Sequence, residues 1–179
     1  FTQGMVCHET YKDDKNNWLS PEEIFTENGK DYFKKKDPSK KVKVGPSESM
    51  SKSKKNTIDP QNIINEYGAD SVRFFILSDS PPERDIQWSE EGMLSSYKFI
   101  QKFWSLSEKI LEISSTGNKE NNEEIEIFTN QMINKVNHAL EKFRYNVIIA
   151  IFHEVYSFFR KISEKNKNYG NLKKSFEKI

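Results

Sequence analysis

The chain has 179 residues, with 28 Lys and Arg against 27 Asp and Glu, so its formal net charge of +1 implies no global polyelectrolyte partner. Hydrophobic residues make up only 35%, yet aromatic residues reach 13%, which excludes a disordered polar polymer. The single Cys excludes a disulfide framework, no Cys and His cluster at zinc spacing, and no apolar run approaches the roughly 20 residues of a membrane span. The first residues do not read as a signal peptide. Because the sequence opens on Phe1 and closes on a helical pattern, an internal fragment of a larger soluble protein is expected, with no membrane partner.

The first stretch is β-like. Residues 5–11 are rich in strand formers and end at the turn-prone residues 13–17, after which Trp18-Leu19 reads as a returning strand. Residues 24–27 and 30–33 flank Asn28-Gly29, a strong hairpin signal because a type I′ turn needs positive φ at both positions. Lys41-Val42-Lys43-Val44 alternates and is expected to stop at Gly45-Pro46. Residues 45–56, small and polar with almost no apolar anchor, are expected to be irregular. Asp59-Pro60 then reads as an N-cap followed by Pro at the first helical position. Ile63, Ile64 and Tyr67 give a short apolar face, and Gly68 supplies the stop. A second short helix from Asp70 through Val72, Phe75, Ile76 and Leu77 is broken by Pro81-Pro82.

The last stretch is helical. Ser89-Glu90-Glu91 reads as an N-cap with acids in the first turn. Met93, Tyr97, Ile100, Trp104, Ser107 and Leu111 then step by 4, 3, 4, 3 and 4, so this stripe is expected to face inward. Residues 114–118 end that helix. A second begins near Glu123 with Ile125, Phe128, Met132, Val136, Leu140 and Phe143 inward. A third follows Asn146 with Ile148, Ile151, Val155, Phe159 and Ile162, and a fourth begins near Asn171. Short connections favour an antiparallel α-helical bundle. The fold class is therefore α+β, with short β-ribbons first and the bundle after.

Chemistry concentrates in Met50-Ser51-Lys52-Ser53-Lys54-Lys55-Asn56. Residues 30–55 carry 10 Lys against the three acids Asp31, Asp37 and Glu48, a balance of 10 − 3 = +7. On charge alone such a run reads as a solvated basic loop. A loop of this kind can also place compact ammonium groups and hydroxyl donors against a polyphosphate. Lysine outnumbers arginine 24 to 4 in the whole chain, so lysine counts by themselves point to no nucleic acid. His8, His138 and His153 lack partners at metal or catalytic spacing, and Cys7 reads as a small strand residue. Trp88 and Trp104 read as packing anchors. The acids at 120, 123, 124 and 126 form a solvated helix start that would repel RNA.

The order Met-Ser-Lys-Ser, Lys-Lys-Asn, Ile-Asp-Pro and Tyr-Gly-Ala-Asp-Ser-Val-Arg-Phe-Phe resembles the signature loop region of the class I aminoacyl-tRNA synthetases, whose motif is written K-M-S-K-S. Further segments resemble the leucine-specific, bacterial or organellar branch. These are Thr2-Gln3-Gly4-Met5-Val6, Trp18-Leu19-Ser20-Pro21, Lys54 after the motif, Ser80-Pro81-Pro82-Glu83, Trp88-Ser89-Glu90, and Phe143-Arg144-Tyr145-Asn146 with Ala150. The sequence departs from the motif at its first lysine, which is Ser49 here. Synthetases for valine, isoleucine or methionine share the loop but match the Pro81-Pro82 and Trp88 surroundings less well. A non-catalytic RNA-binding module derived from such an enzyme is the other alternative.

The resemblance implies three parts. Residues 1–48 would be the end of a Rossmann-type catalytic domain with a β-hairpin insertion, 49–90 the K-M-S-K-S loop with a helical stem-contact adaptor, and 91–179 a truncated anticodon-binding bundle. It implies a leucine–tRNA ligase that uses leucine, ATP with accompanying Mg2+, and tRNA(Leu), located in the cytoplasm or an organelle matrix. It assigns Lys52 to catalysis, and Lys52, Met50, Ser51, Ser53, Gln3 and Gly4 to ATP. Lys98, Lys102, Lys142, Arg144, Arg160 and Lys161 are candidate tRNA contacts, and no residue is assigned to a protein-bound metal. The H-I-G-H-type motif and the N-terminal catalytic and editing domains are not among these residues, so the isolated fragment is expected to be inactive.

Overall fold

The computed structural model describes residues 4–26, 31–114, 120–165 and 169–179. Its β-rich part is a mainly antiparallel sheet built around β1 (Val6–Lys12). The returning strand is present as β2 (Trp18–Leu19), with Tyr11 opposite Leu19. Asp13 shapes the turn between them: its carboxylate accepts from the Lys15 and Asn17 backbone amides at 2.9 and 2.8 Å and from the Lys34 ammonium at 3.0 Å. β3 (Ile24–Thr26) and β4 (Tyr32–Lys34) pair antiparallel, Phe25 opposite Phe33, while the Asn28-Gly29 turn lies outside the described residues.

The next strand, β5 (Asp37–Ser49), corrects the expectation of an end at Gly45-Pro46. It runs through both residues for 13 positions. The physical reason is a register shift between Glu9 and Thr10: Glu9 pairs with Ser47 and Thr10 with Gly45, leaving Pro46 as the extra residue of a bulge. A proline has no amide to give, and at a bulge none is needed. Thr10 Oγ1 instead donates to the Pro46 carbonyl at 3.1 Å. A Cβ on Gly45 would stand 2.5 Å from that hydroxyl, so the close approach requires glycine. The sheet order is β2-β1-β5-β4-β3, and β6 (Ile86–Gln87) joins the start of β1 in parallel. Tyr11, Leu19, Ile24 and Val42, with Tyr32 against them, form a small core on this sheet.

Helix α1 (Pro60–Tyr67) starts as its sequence dictates, the Asp59 carboxylate accepting from the Gln61 amide at 2.9 Å. Gly68 ends it at φ 80°, and α2 (Ala69–Ser78) follows directly. Ser89 Oγ accepts from the Gly92 amide at 3.1 Å at the head of α3 (Glu90–Ser114). Then come α4 (Glu123–Glu141), α5 (Tyr145–Glu164) and α6 (Leu172–Lys178). These last four helices share a larger core of Leu106, Ile110, Ile125, Met132, Ile151, Val155, Phe159, Ile162 and Leu172.

The inward stripe of α3 differs from its expected 4,3 pattern. Trp104 is 66% exposed and Leu111 is also exposed, whereas Leu106 and Ile110 are buried. The helix changes partners along its length: Tyr97 and Phe99 meet Tyr67 and Phe74 of α1 and α2, Phe99 and Phe103 both reach α5 at His153 and Phe152, and Phe103 meets Phe176 of α6. The buried face therefore rotates around the helix, which a single straight stripe cannot follow. In α4, likewise, Leu140 and the following Phe143 are exposed and Ala139 is buried. The α5 stripe at Ile151, Val155, Phe159 and Ile162 is buried as its spacing predicts. Among the described residues no helix is long and apolar enough to cross a membrane.

Candidate functional site

The serine-lysine run connects the end of β5 to α1. Met50 closes the sheet by donating its amide to the Val6 carbonyl at 3.1 Å, and residues 52–55 then form a turn in which the Lys55 amide donates to the Lys52 carbonyl at 3.3 Å. Ser51 Oγ lies 3.3 Å from Ser53 Oγ and accepts from the Lys54 amide at 3.4 Å. Lys55 ends the turn at φ 55°, in the left-handed region. The anchor that composition does not reveal is polar. Asn56, with 0% exposure, accepts from the Ser51 amide at 2.8 Å and donates to the carbonyls of His8 and Glu48 at 3.2 and 3.1 Å.

The three lysines of the turn differ in their partners. Lys54 is ion-paired with Glu48, and Lys55 lies 4.0 Å from Glu23, which sits in the short 3-10 turn before β3. Lys52 is exposed, and its ammonium has neither an ion pair nor a hydrogen bond among the described residues. The turn thus presents one uncommitted cation and the exposed Ser53 hydroxyl to solvent, with the half-buried Ser51 hydroxyl beside it, an arrangement able to receive a phosphate group. Ser49, which stands where the motif has its first lysine, is the last residue of β5 and pairs with Cys7.

Of the other residues assigned to ATP, Gln3 lies outside the described residues. Gly4 sits against the turn before β6, its amide donating to the Pro82 carbonyl at 2.8 Å. The space a Cβ would take there is filled by the Arg84 carbonyl, so the close approach this glycine permits is to its own chain. His8, Tyr11, Tyr32, Trp88 and Glu90 line a cleft of about 850 Å3. Burial pushes the His8 imidazole below its ordinary pKa, against an opposing hydrogen bond to the Glu9 carbonyl. Burial also raises the Tyr11 phenol, which donates to the Glu9 carboxylate at 3.0 Å. Trp88 packs edge-on against Phe75, as a packing anchor should, whereas the exposed Trp104 donates its indole N–H to Glu108 at 3.0 Å. Among the described residues no group of three or more His, Cys, Asp or Glu is placed to hold a metal.

The six basic candidates on the helices separate. Lys102 and Arg160 line one groove of about 320 Å3 between α3 and α5, together with Gln101, Ser105, Lys109 and Tyr156. Lys109 is a member that its sequence context does not single out. Lys142 and Arg144 lie in the connection before α5. At 1.5 Å per residue, Arg144 and Arg160 are about 24 Å apart along the helix. Lys98 and Lys161 are exposed and do not line that groove.

Known proteins match this arrangement. The sequence profile of the family described as tRNA synthetases class I (I, L, M and V) matches residues 42–89, which contain the turn, α1 and α2. The leucine–tRNA ligase of Bartonella quintana is 46% identical over 161 residues, covering 86% of this chain and 18% of that protein. The leucine–tRNA ligase of Rickettsia bellii is 44% identical over 157 residues, covering 88% of this chain and again 18% of the relative. In fold, the chain is similar to the LeuRS of Agrobacterium radiobacter, solved as a ternary complex with tRNA and LeuAMS, at a TM-score of 0.62 and 24% identity over 73% of this chain and 18% of that one. The chain thus spans about a fifth of the length of the relatives it matches. By its signature loop and by identity over most of its own length, the chain is similar to the leucyl-tRNA synthetases of the class I tRNA synthetases, and its fold is that of the corresponding part of a LeuRS.

Proposed function

We propose that the chain is the segment of a leucine–tRNA ligase that closes a cationic loop on ATP and joins the catalytic domain to tRNA-contacting helices. The whole enzyme, in the cytoplasm or an organelle matrix, activates leucine with ATP to leucyl-adenylate and passes it to tRNA(Leu). Residues 1–48 are then the end of the Rossmann-type catalytic domain with its β-hairpin insertion, 49–90 the loop and adaptor, and 91–179 the anticodon-binding-type bundle. The parallel pairing of β6 with β1, unusual in an otherwise antiparallel sheet, supports the first assignment. The separation of the sheet core from the helical core supports the last.

The observation that carries the reading is the uncommitted ammonium of Lys52 beside two engaged lysines. In the activation step the leucine carboxylate attacks the α-phosphorus, and the bond from that phosphorus to the bridging oxygen breaks. Negative charge grows on the departing pyrophosphate, and Lys52 stabilises it in the transition state more than in the ground state. Such a contact is worth on the order of 3 kcal/mol, or roughly a hundredfold in rate. Ser51 and Ser53 supply neutral donors to phosphate oxygens, Met50 sets the start of the loop, and the family resemblance assigns Gln3 to the adenosine. Mg2+ arrives on the triphosphate as part of the substrate. No proton-transferring side chain is needed, because positioning and charge carry the step. The groove holding Lys102, Lys109 and Arg160 is the face we assign to the tRNA backbone.

The test is leucine-dependent ATP–pyrophosphate exchange by the full-length ligase carrying these residues. Lys52→Ala should lower the rate about a hundredfold with the melting temperature unchanged, and an unchanged rate overturns the reading. The 179 residues alone should show no exchange.

A further inference from the structure

Asn56 is the most enclosed polar side chain around the loop, and its amide is fully used. The oxygen accepts from Ser51 N–H at 2.8 Å, and the nitrogen spends both hydrogens on the His8 and Glu48 carbonyls at 3.2 and 3.1 Å. One side chain therefore ties β1, the end of β5 and Ser51, the residue just before the turn, to a single point. We propose that Asn56 is the positioning residue of the loop, fixing where the Lys52 ammonium stands when the phosphates arrive. The inference rests on the ATP-loop reading above and adds to it the part that holds the cation in place.

Preorganisation is what a fixed root supplies to the loop. Lys52 sits on a turn of a few residues that is otherwise held by two long hydrogen bonds, from the Lys55 amide to the Lys52 carbonyl at 3.3 Å and from the Lys54 amide to Ser51 Oγ at 3.4 Å, and by the part-exposed Lys54–Glu48 ion pair. Without a fixed root the turn would have to be ordered at every turnover, and a displacement of about 1 Å is enough to cost a hundredfold. Side-chain chemistry makes asparagine specific here. Aspartate has the same shape and keeps the acceptor, yet it brings a carboxylate oxygen against two carbonyl oxygens in a site closed to water. Serine can donate to only one of the two carbonyls. The two carbonyls belong to neighbouring strands, so the loop inherits the rigidity of the sheet and not that of α1.

The experiment is a double-mutant cycle in the full-length ligase, with kcat for ATP–pyrophosphate exchange normalised to the count of active sites. Lys52→Ala and Asn56→Asp should each lower kcat about tenfold to a hundredfold. The double variant should be no slower than Lys52→Ala alone, because Asn56 acts only through Lys52. Asn56→Ser, which keeps one donor, should fall between wild type and Asn56→Asp. If Asn56→Asp lowers kcat by the same factor with and without Lys52, the residue is general scaffolding and the proposal is overturned. If Lys52→Ala is slow and Asn56→Asp is not, the proposal fails while the ATP-loop reading stands. If Lys52→Ala keeps its rate, that reading fails instead, and the proposal with it. Should Asn56→Asp fail to fold, the same cycle run with Asn56→Ser separates the same outcomes.

Discussion

Gly4 and Arg84 meet backbone to backbone: the volume of a Cβ on Gly4 is occupied by the Arg84 carbonyl. Around that contact the Met5 amide donates to the Asp85 carboxylate at 2.8 Å and the Ile86 amide to the Met5 carbonyl at 2.9 Å, so the head of β1 is laid against the chain leading into β6. Gly4→Ala must push backbone and not a flexible side chain, a form of overpacking that costs about 1–3 kcal/mol. Chemical denaturation of the 179-residue chain should show a lower midpoint at an unchanged slope. A midpoint equal to that of the wild type would mean that the junction yields freely.

Lys55 holds a left-handed conformation at φ 55° immediately before the anchor Asn56. For a side chain with a Cβ that conformation costs roughly 1–2 kcal/mol, and for a β-branched one more. Lys55→Gly should therefore leave the turn intact and raise stability by up to about 1 kcal/mol. The exposed contact to Glu23 at 4.0 Å is lost with little effect. Lys55→Val should lower stability and expose the Ser51 amide to faster hydrogen exchange. Equal stabilities for the two variants would contradict the assigned geometry.

Much of the fold is legible in the sequence because its signals are local. Asp59-Pro60, Ser89 and Gly68 mark helix boundaries through hydrogen bonds and dihedrals set within a few residues, and the structure has each of them. The full length of β5 is hidden because Pro46 is normally a strand breaker, and only the pairing with Thr10 reveals a bulge that needs no amide. A single stripe is too simple for α3 because its partners change halfway along, which periodicity within one helix cannot report. At the candidate site Lys52 is visible through its motif, whereas Asn56 looks like any small polar loop residue. Its partners lie 48 and 8 residues away, and nothing in sequence spacing brings them together.

His8 gives a pH dependence whose sign follows from its burial. The imidazole is enclosed in the cleft beside Tyr11, and desolvation lowers its pKa, with the Glu9 carbonyl and the Glu9 and Glu90 carboxylates acting in the opposite direction. The unfolded chain takes up this proton near the ordinary histidine pKa of about 6.5, and the folded chain only at lower pH. Between those two values the unfolded state binds more protons, so stability is full above about 6.5 and declines as pH falls. Burial lowers His153 as well, so the measurement must be a difference between wild type and His8→Gln, which both keep His153. The melting temperature of wild type should fall more than that of His8→Gln between about pH 7.5 and 5.5, a window that brackets the ordinary histidine pKa. A larger fall in the variant would reverse the sign and refute the assignment.

The groove between α3 and α5 makes the proposed RNA face separable from the other basic residues. Lys102, Lys109 and Arg160 converge there beside Ser105 and Gln101, and the ion pair from Arg160 to Glu164, at 3.6 Å, is exposed and weak. Each ammonium or guanidinium that neutralises a phosphate releases condensed counterions and adds about 0.7–0.9 to the slope of log affinity against log salt. Replacing all three by alanine should weaken tRNA binding by the full-length ligase and reduce that slope by about 2. The loss should be similar for any tRNA sequence, because phosphate contacts position and do not read bases. Lys142→Ala with Arg144→Ala, the latter about 24 Å from Arg160 along α5, should change the slope far less. If that pair takes the loss and the groove variant binds normally, the RNA lies at the opposite end of the helices. The charge that steers it would then belong to the connection between α4 and α5.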